Sequence, residues 1–126
     1  MKPDPAYNGD GQYIFVSYSH IDTRSVEAEI VWLQKQGFNV WYDEGISPGS
    51  RWTDMLADKI ENAALFLYMV SPHSVESEHC RNEVDLALDA GVLLLSIHLE
   101  PTELPSGQKL TLSSKQALLK YELDEK

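Results

Sequence analysis

Apolar positions fall into two kinds of pattern that alternate along the chain. Gln12–Ser17 (QYIFVS), Phe38–Tyr42 (FNVWY), Ala64–Ser71 (ALFLYMVS) and Val92–Leu99 (VLLLSIHL) are short, nearly continuous apolar runs, the pattern of strands buried on both faces. Between them the spacing becomes helical. Val26, Ile30 and Leu33 recur after a capping candidate, Asp22 or Thr23, and stop at Gly37, which suits a helix C-terminus. Trp52, Leu56, Ile60 and Ala63 mark a second amphipathic helix, and Cys80, Val84, Ala87, Leu88 and Gly91 a third. Asp43–Ser50 (DEGISPGS) holds two glycines, a proline and two serines and reads as a loop, while Ser71-Pro72 ends the third strand ahead of a polar stretch to Glu78.

Buried strands alternating with helices predict a doubly wound α/β fold, a parallel sheet of about five strands with helices on both faces. Gln116–Leu123 supplies a fifth, edge strand, and Pro101, Pro105 and Gly107 break the chain ahead of it. Met1–Gly11, with Pro3, Pro5 and Gly9 and no apolar run, reads as a flexible N-terminal segment, and Gln12–Lys126 as one domain. No closing helix is visible at the end, so the expectation is the N-terminal domain of a longer protein. Sheets of this kind bind ligands beyond the carboxyl ends of their strands, which directs attention to the loops Ser17–Thr23, Asp43–Arg51, Ser71–His79 and Glu100–Lys109.

Composition narrows the partners. Ten Lys plus Arg against twenty Asp plus Glu give a net charge of -10 in 126 residues, and the basic residues are scattered, so neither nucleic acid nor an anionic membrane surface is an expected partner. Cys80 is the single cysteine, which excludes an internal disulfide framework and a multi-thiolate metal site and fits a reducing, cytoplasmic compartment. The N-terminus has no signal-peptide pattern, and the longest apolar runs fall well short of a membrane span.

Several familiar chemistries are absent. The first strand-to-helix loop, SYSHIDT, has no glycine, so neither the dinucleotide fingerprint nor the P-loop is present. A phospho-receiver would need an acceptor Asp where the third strand ends at Ser71 and acidic residues where the first ends at Ser17. His73, His79 and Cys80 have no established metal-ligand spacing and no fourth ligand, so no metal is expected. Ser17, His20 and Asp22 could be drawn as a triad, but no nucleophile elbow exposes the serine.

Three segments carry a family resemblance: Tyr13–His20 (YIFVSYSH), Trp41–Trp52 (WYDEGISPGSRW) and Ser77–Glu83 (SEHCRNE). In this order and spacing they resemble the TIR (Toll/interleukin-1 receptor) domain of the bacterial type, over roughly Gln12 to Leu123. The resemblance implies a flavodoxin-like fold in which the second loop, the BB loop, mediates assembly with other TIR domains. Gly45, Ile46, Pro48 and Gly49 match that loop. Some members are adaptors only; others cleave the nicotinamide–ribose bond of NAD+, which is then substrate and not cofactor, to give nicotinamide and ADP-ribose or a cyclic isomer, often in anti-phage defence.

In the enzymatic members a glutamate in the third segment is essential, and Glu83 matches it. Glu83 has no Lys or Arg three or four residues away on its helix, and it borders the apolar face of Cys80, Val84 and Ala87. Its carboxylate could there stabilise the positive charge left as nicotinamide departs. Ser17, Tyr18, Ser19, Trp41, Asp43, Arg51, His79 and Cys80 are the candidate substrate-binding residues, with Tyr18, Trp41 and Trp52 offering flat rings and Arg51, Arg24 or backbone N–H groups at a helix start the donors for the pyrophosphate. Core packing is the competing role for Trp41 and Trp52. The motif often has Trp immediately before its cysteine, where this chain has His79. A non-catalytic module that docks other TIR domains is the competing reading of the whole.

Overall fold

A computed structural model describes residues 2–43, 50–112 and 116–120, and of residues 50–53, 111, 116 and 118 the backbone only. Its elements run β1 (Ile14–Ser17), α1 (Thr23–Lys35), β2 (Val40–Tyr42), α2 (Ser50–Glu61), β3 (Leu65–Val70), α3 (Glu78–Asp89), β4 (Leu94–His98), α4 (Ser106–Leu112) and β5 (Gln116–Leu119), with 3-10 turns at His20–Asp22 and Ser74–Glu76. The strands form one parallel sheet in the order β2-β1-β3-β4-β5. This is the predicted α/β architecture.

Alternation along the strands divides the core between two faces. Ile14 and Val16 of β1, Val40 and Tyr42 of β2, and Leu67 and Met69 of β3 pack with Val26, Ile30 and Leu33 of α1. On the opposite face Phe15, Trp41, Phe66, Tyr68 and Val70 meet Leu56 and Ile60 of α2 and Cys80, Val84 and Ala87 of α3. Register places Phe15 between Trp41 and Phe66, so three rings stack in a row across neighbouring strands at 5.1 and 5.3 Å.

Helix ends follow their local chemistry. Gly37 (φ +95°) ends α1, with its N–H donating to the Gln34 carbonyl and the Phe38 N–H to the Leu33 carbonyl. Gly91 (φ +73°) ends α3 the same way, through Leu88 and, from Val92, Ala87. Both are Schellman caps, which require the left-handed conformation that glycine adopts without a steric penalty. Phe38 is thereby drawn into the cap and lies exposed, which is why β2 begins at Val40 and not at the predicted Phe38.

Two features go beyond the sequence pattern. Over its described length the N-terminal segment is hydrogen-bonded to the domain: the Asp4 backbone exchanges hydrogen bonds with the Gln34 side chain, Tyr42 Oη donates to the Asp4 carbonyl, and the Tyr7 N–H donates to the Val40 carbonyl. The segment thus covers the outer edge of β2, which no strand among the described residues pairs with. The irregular stretch expected before the fifth strand contains α4, a helix of seven residues anchored by buried Gln108 and Leu112. Its sequence, SGQKLTL, is too short to show periodicity, and Leu110 is fully outward-facing. Among the described residues no helix is long and apolar enough to cross a membrane.

Candidate active site

In the strand order found here the chain leaves β1 toward β2 and later returns to the other side of β1 as β3, so the switch point of the sheet, where folds of this kind bind ligands, lies at the carboxyl ends of β1 and β3. Ser17 is the last residue of β1 and Ser71 follows β3. Ser71 organises the loop beneath it. Its hydroxyl donates to the Asp22 carboxylate and accepts the N–H groups of His73 and Ser74, while the Ser71 N–H donates to Ser74 Oγ. That network starts the 3-10 turn at Ser74–Glu76, after which Ser77 caps α3 by accepting the Cys80 N–H. Asp22 stands at the N-cap position of α1 but makes no side-chain cap, because its carboxylate is engaged by Ser71.

The cap fixes the phase of α3. Cys80, Val84 and Ala87 turn toward the sheet, and Glu83, one step round the helix, is carried in with them to 4% exposure. A carboxylate so placed is costly unless both oxygens find donors. Here they do. Ser17 Oγ, itself 1% exposed, donates to Glu83 Oε1 at 2.7 Å, and His79 Nε2 lies 3.0 Å from Oε2, one helical turn earlier. Glu83 also raises the pKa of His79, chiefly through this hydrogen bond, with burial opposing and Asp43 adding to the rise.

The remaining candidates divide by environment. Asp43 is brought near: its carbonyl accepts Tyr18 Oη at 2.9 Å, its carboxylate lies 3.5 Å from His20 Nε2, and its charge acts on His79. Tyr18 is buried, its ring 5.2 Å from that of His20, and burial followed by the Asp43 charge pushes its phenol well above the ordinary range. It belongs to the α1 face, where it borders a cleft of about 320 Å³ shared with Lys2, Glu27 and Tyr42, on the other side of β1 from Glu83. Ser19 Oγ accepts the Ile21 N–H and caps the first 3-10 turn.

Two candidates lie in the core. Trp41 is 6% exposed and its ring stacks on Phe15. Cys80 is wholly buried, and burial pushes its thiol up to about 11, against the milder effect of hydrogen bonds with Ser77 and Ser17. It packs in the core beside Val84 and Ala87, on the helix that carries Glu83. Arg51 and Trp52 stand in the first turn of α2, and their side chains lie outside the described residues, as do Gly45, Ile46, Pro48 and Gly49 of the expected assembly loop. Among the described residues no cluster of three His, Cys, Asp or Glu could hold a metal ion.

Sequence reasoning did not foresee the Ser17–Glu83 bond, which spans 66 residues, nor the Ser71–Asp22 network. The His79–Glu83 pair is legible in the sequence as an i,i+4 spacing, with a histidine standing where a Lys or Arg would mark an ion pair outright.

The family model described as TIR domain matches residues 14–122. A search of curated protein sequences finds no match. Among solved structures, the chain is similar to the TIR domain of the Toll-related receptor TRR-2 from Hydra magnipapillata, with 16% identity and a TM-score of 0.71 over 89% of this chain and 88% of that one. It is also similar to the TIR domains of the activated Roq1 resistosome that directly recognizes the pathogen effector XopQ, with 18% identity and a TM-score of 0.61 over 70% and 57%. A third similar structure is the CMP N-glycosidase BcmB from Clostridium botulinum, with 16% identity and a TM-score of 0.60 over 84% and 85%.

Proposed function

This chain belongs to the TIR domain family, and from that premise we propose that it is an NAD+ glycohydrolase with Glu83 as its catalytic residue. The observation that carries the reading is the buried carboxylate of Glu83, ordered by Ser17 and His79 at the carboxyl edge where β1 and β3 part. A surface glutamate serving solubility has no reason to be desolvated and hydrogen-bonded on both oxygens.

The chemistry asks for little more. The nicotinamide of NAD+ leaves as a neutral base: the bond from C1′ to the ring nitrogen breaks and its electron pair neutralises the pyridinium. Positive charge moves to the ribose, as in other glycosidic cleavages, and Glu83 holds a ribose hydroxyl and opposes that charge. Water then bonds to C1′ and releases a proton, giving ADP-ribose; attack by an atom of the same substrate gives a cyclic isomer. The fold shared with a CMP N-glycosidase suits cleavage of an N-glycosidic bond. Self-assembly through the loop holding Gly45, Ile46, Pro48 and Gly49 would activate the enzyme, and we infer a role in cytoplasmic antiviral defence or signalling.

The test is nicotinamide release by concentrated or artificially clustered protein, with Glu83→Gln alongside and its fold verified by thermal melting. Glu83-dependent release is the expected result. No turnover in any assembled state sinks the catalytic reading and leaves a module that docks other TIR domains.

A further inference from the structure

The pair formed by His79 and Glu83 does more than satisfy a buried oxygen. Glu83 Oε1 faces Ser17 in the interior, whereas Oε2 faces His79, whose side chain is 46% exposed. Two carboxylates act on His79, Glu83 on its own helix and Asp43 at the end of β2, and Asp43 in turn lies 3.5 Å from His20 of the β1–α1 connection. Among the described residues His79 is the only ion-pair partner of Glu83. The net charge of the His79–Glu83 pair is therefore −1 with neutral imidazole and zero with imidazolium.

We propose that His79 is a positioning residue that orients the Glu83 carboxylate through Oε2 and switches its effective charge with its own protonation state. The proposal rests on the glycohydrolase reading above. Neutral His79 with its proton on Nε2 still donates to Oε2, so orientation survives on both sides of the titration while the field does not. An imidazolium 3.0 Å from the carboxylate opposes the cation that forms on the ribose, and the transition state suffers more than the bound substrate, whose charge sits on the nicotinamide ring. The effect accordingly falls on kcat.

The expected profile is a kcat that rises with pH through the titration of His79, above the ordinary histidine value of 6.5, by roughly 10–100-fold, the scale of one unit charge a few ångströms from a partly buried partner. His79→Gln keeps a neutral donor of similar reach and is expected to abolish this limb, with a low-pH kcat above that of the native chain. His79→Ala removes both the donor and the charge and is expected to lower kcat above the titration while losing the pH limb. The second readout needs no turnover: the imidazole resonance of His79 titrates above 6.5 in the native chain and moves down in Glu83→Gln. Glu83-dependent turnover whose limb persists in His79→Gln overturns the proposal and spares the glycohydrolase reading. A His79 titration indifferent to Glu83→Gln overturns it independently, and absence of turnover in every assembled state defeats both.

Discussion

Ser17→Ala removes one oxygen from a site with no room for a substitute. The hydroxyl is 1% exposed, its acceptor Glu83 is 4% exposed, and they are 2.7 Å apart. The substitution opens no sizeable cavity, so the cost is the lost hydrogen bond to a charged acceptor, about 1.5–3 kcal/mol. An oxygen-sized void lies at the lower limit for holding a water, so little of that loss is recovered from solvent. For a domain of this length the cost corresponds to a fall in Tm of about 4–12 °C. The assay is thermal and urea unfolding of the native chain, Ser17→Ala, Glu83→Gln and the double variant. The cycle should show a coupling of at least about 0.5 kcal/mol, because Ser17 binds an amide oxygen less strongly than a carboxylate. A loss below about 0.5 kcal/mol in the single variant, the scale of an ordinary surface change, would refute the reasoning.

Other outcomes follow from the same structure. Phe66→Ala, at a fully buried position between Phe15 and the α2–α3 layer, is expected to cost about 3–5 kcal/mol, read as the urea midpoint or as loss of soluble folded protein. Gly37→Ala meets no neighbour within 4 Å but must hold φ +95°, so it should cost about 1–2 kcal/mol from backbone strain alone, measurable by calorimetry. Cys80 is pushed up by burial from 9.0 to about 11; in that window the unfolded chain binds fewer protons than the folded one, so stability falls as pH rises. Unfolding midpoints across it should fall less steeply in Cys80→Ala, with the raised tyrosines Tyr13, Tyr18 and Tyr68 contributing to the slope that remains.

What the sequence determined by itself is the succession of elements and the faces they bury. A run such as LFLYMV leaves no polar side to show to water, so it has to lie between two layers, and the helical spacing of Val26, Ile30 and Leu33 supplies one of them. Gly37 and Gly91 announced the helix ends for the same local reason. Glu83 was legible as a candidate through its motif and through its place on the rim of an apolar helix face.

Only the tertiary structure decided what that glutamate touches. The donor to Oε1 comes from the end of another strand, and no local rule links Ser17 to a helix so far along the chain. The same holds for Trp41, whose loop-flanking position suggested a ligand-facing ring until the register with Phe15 turned it into the core. The N-terminal segment carries no apolar run, yet it is held at the edge of β2 by hydrogen bonds that exist only once the sheet presents Val40 and Tyr42. Local pattern fixes which face of an element is buried, because burial depends on the element's own periodicity. Which side chains meet at the sheet's carboxyl edge depends on strand order and register, which are properties of the assembled sheet.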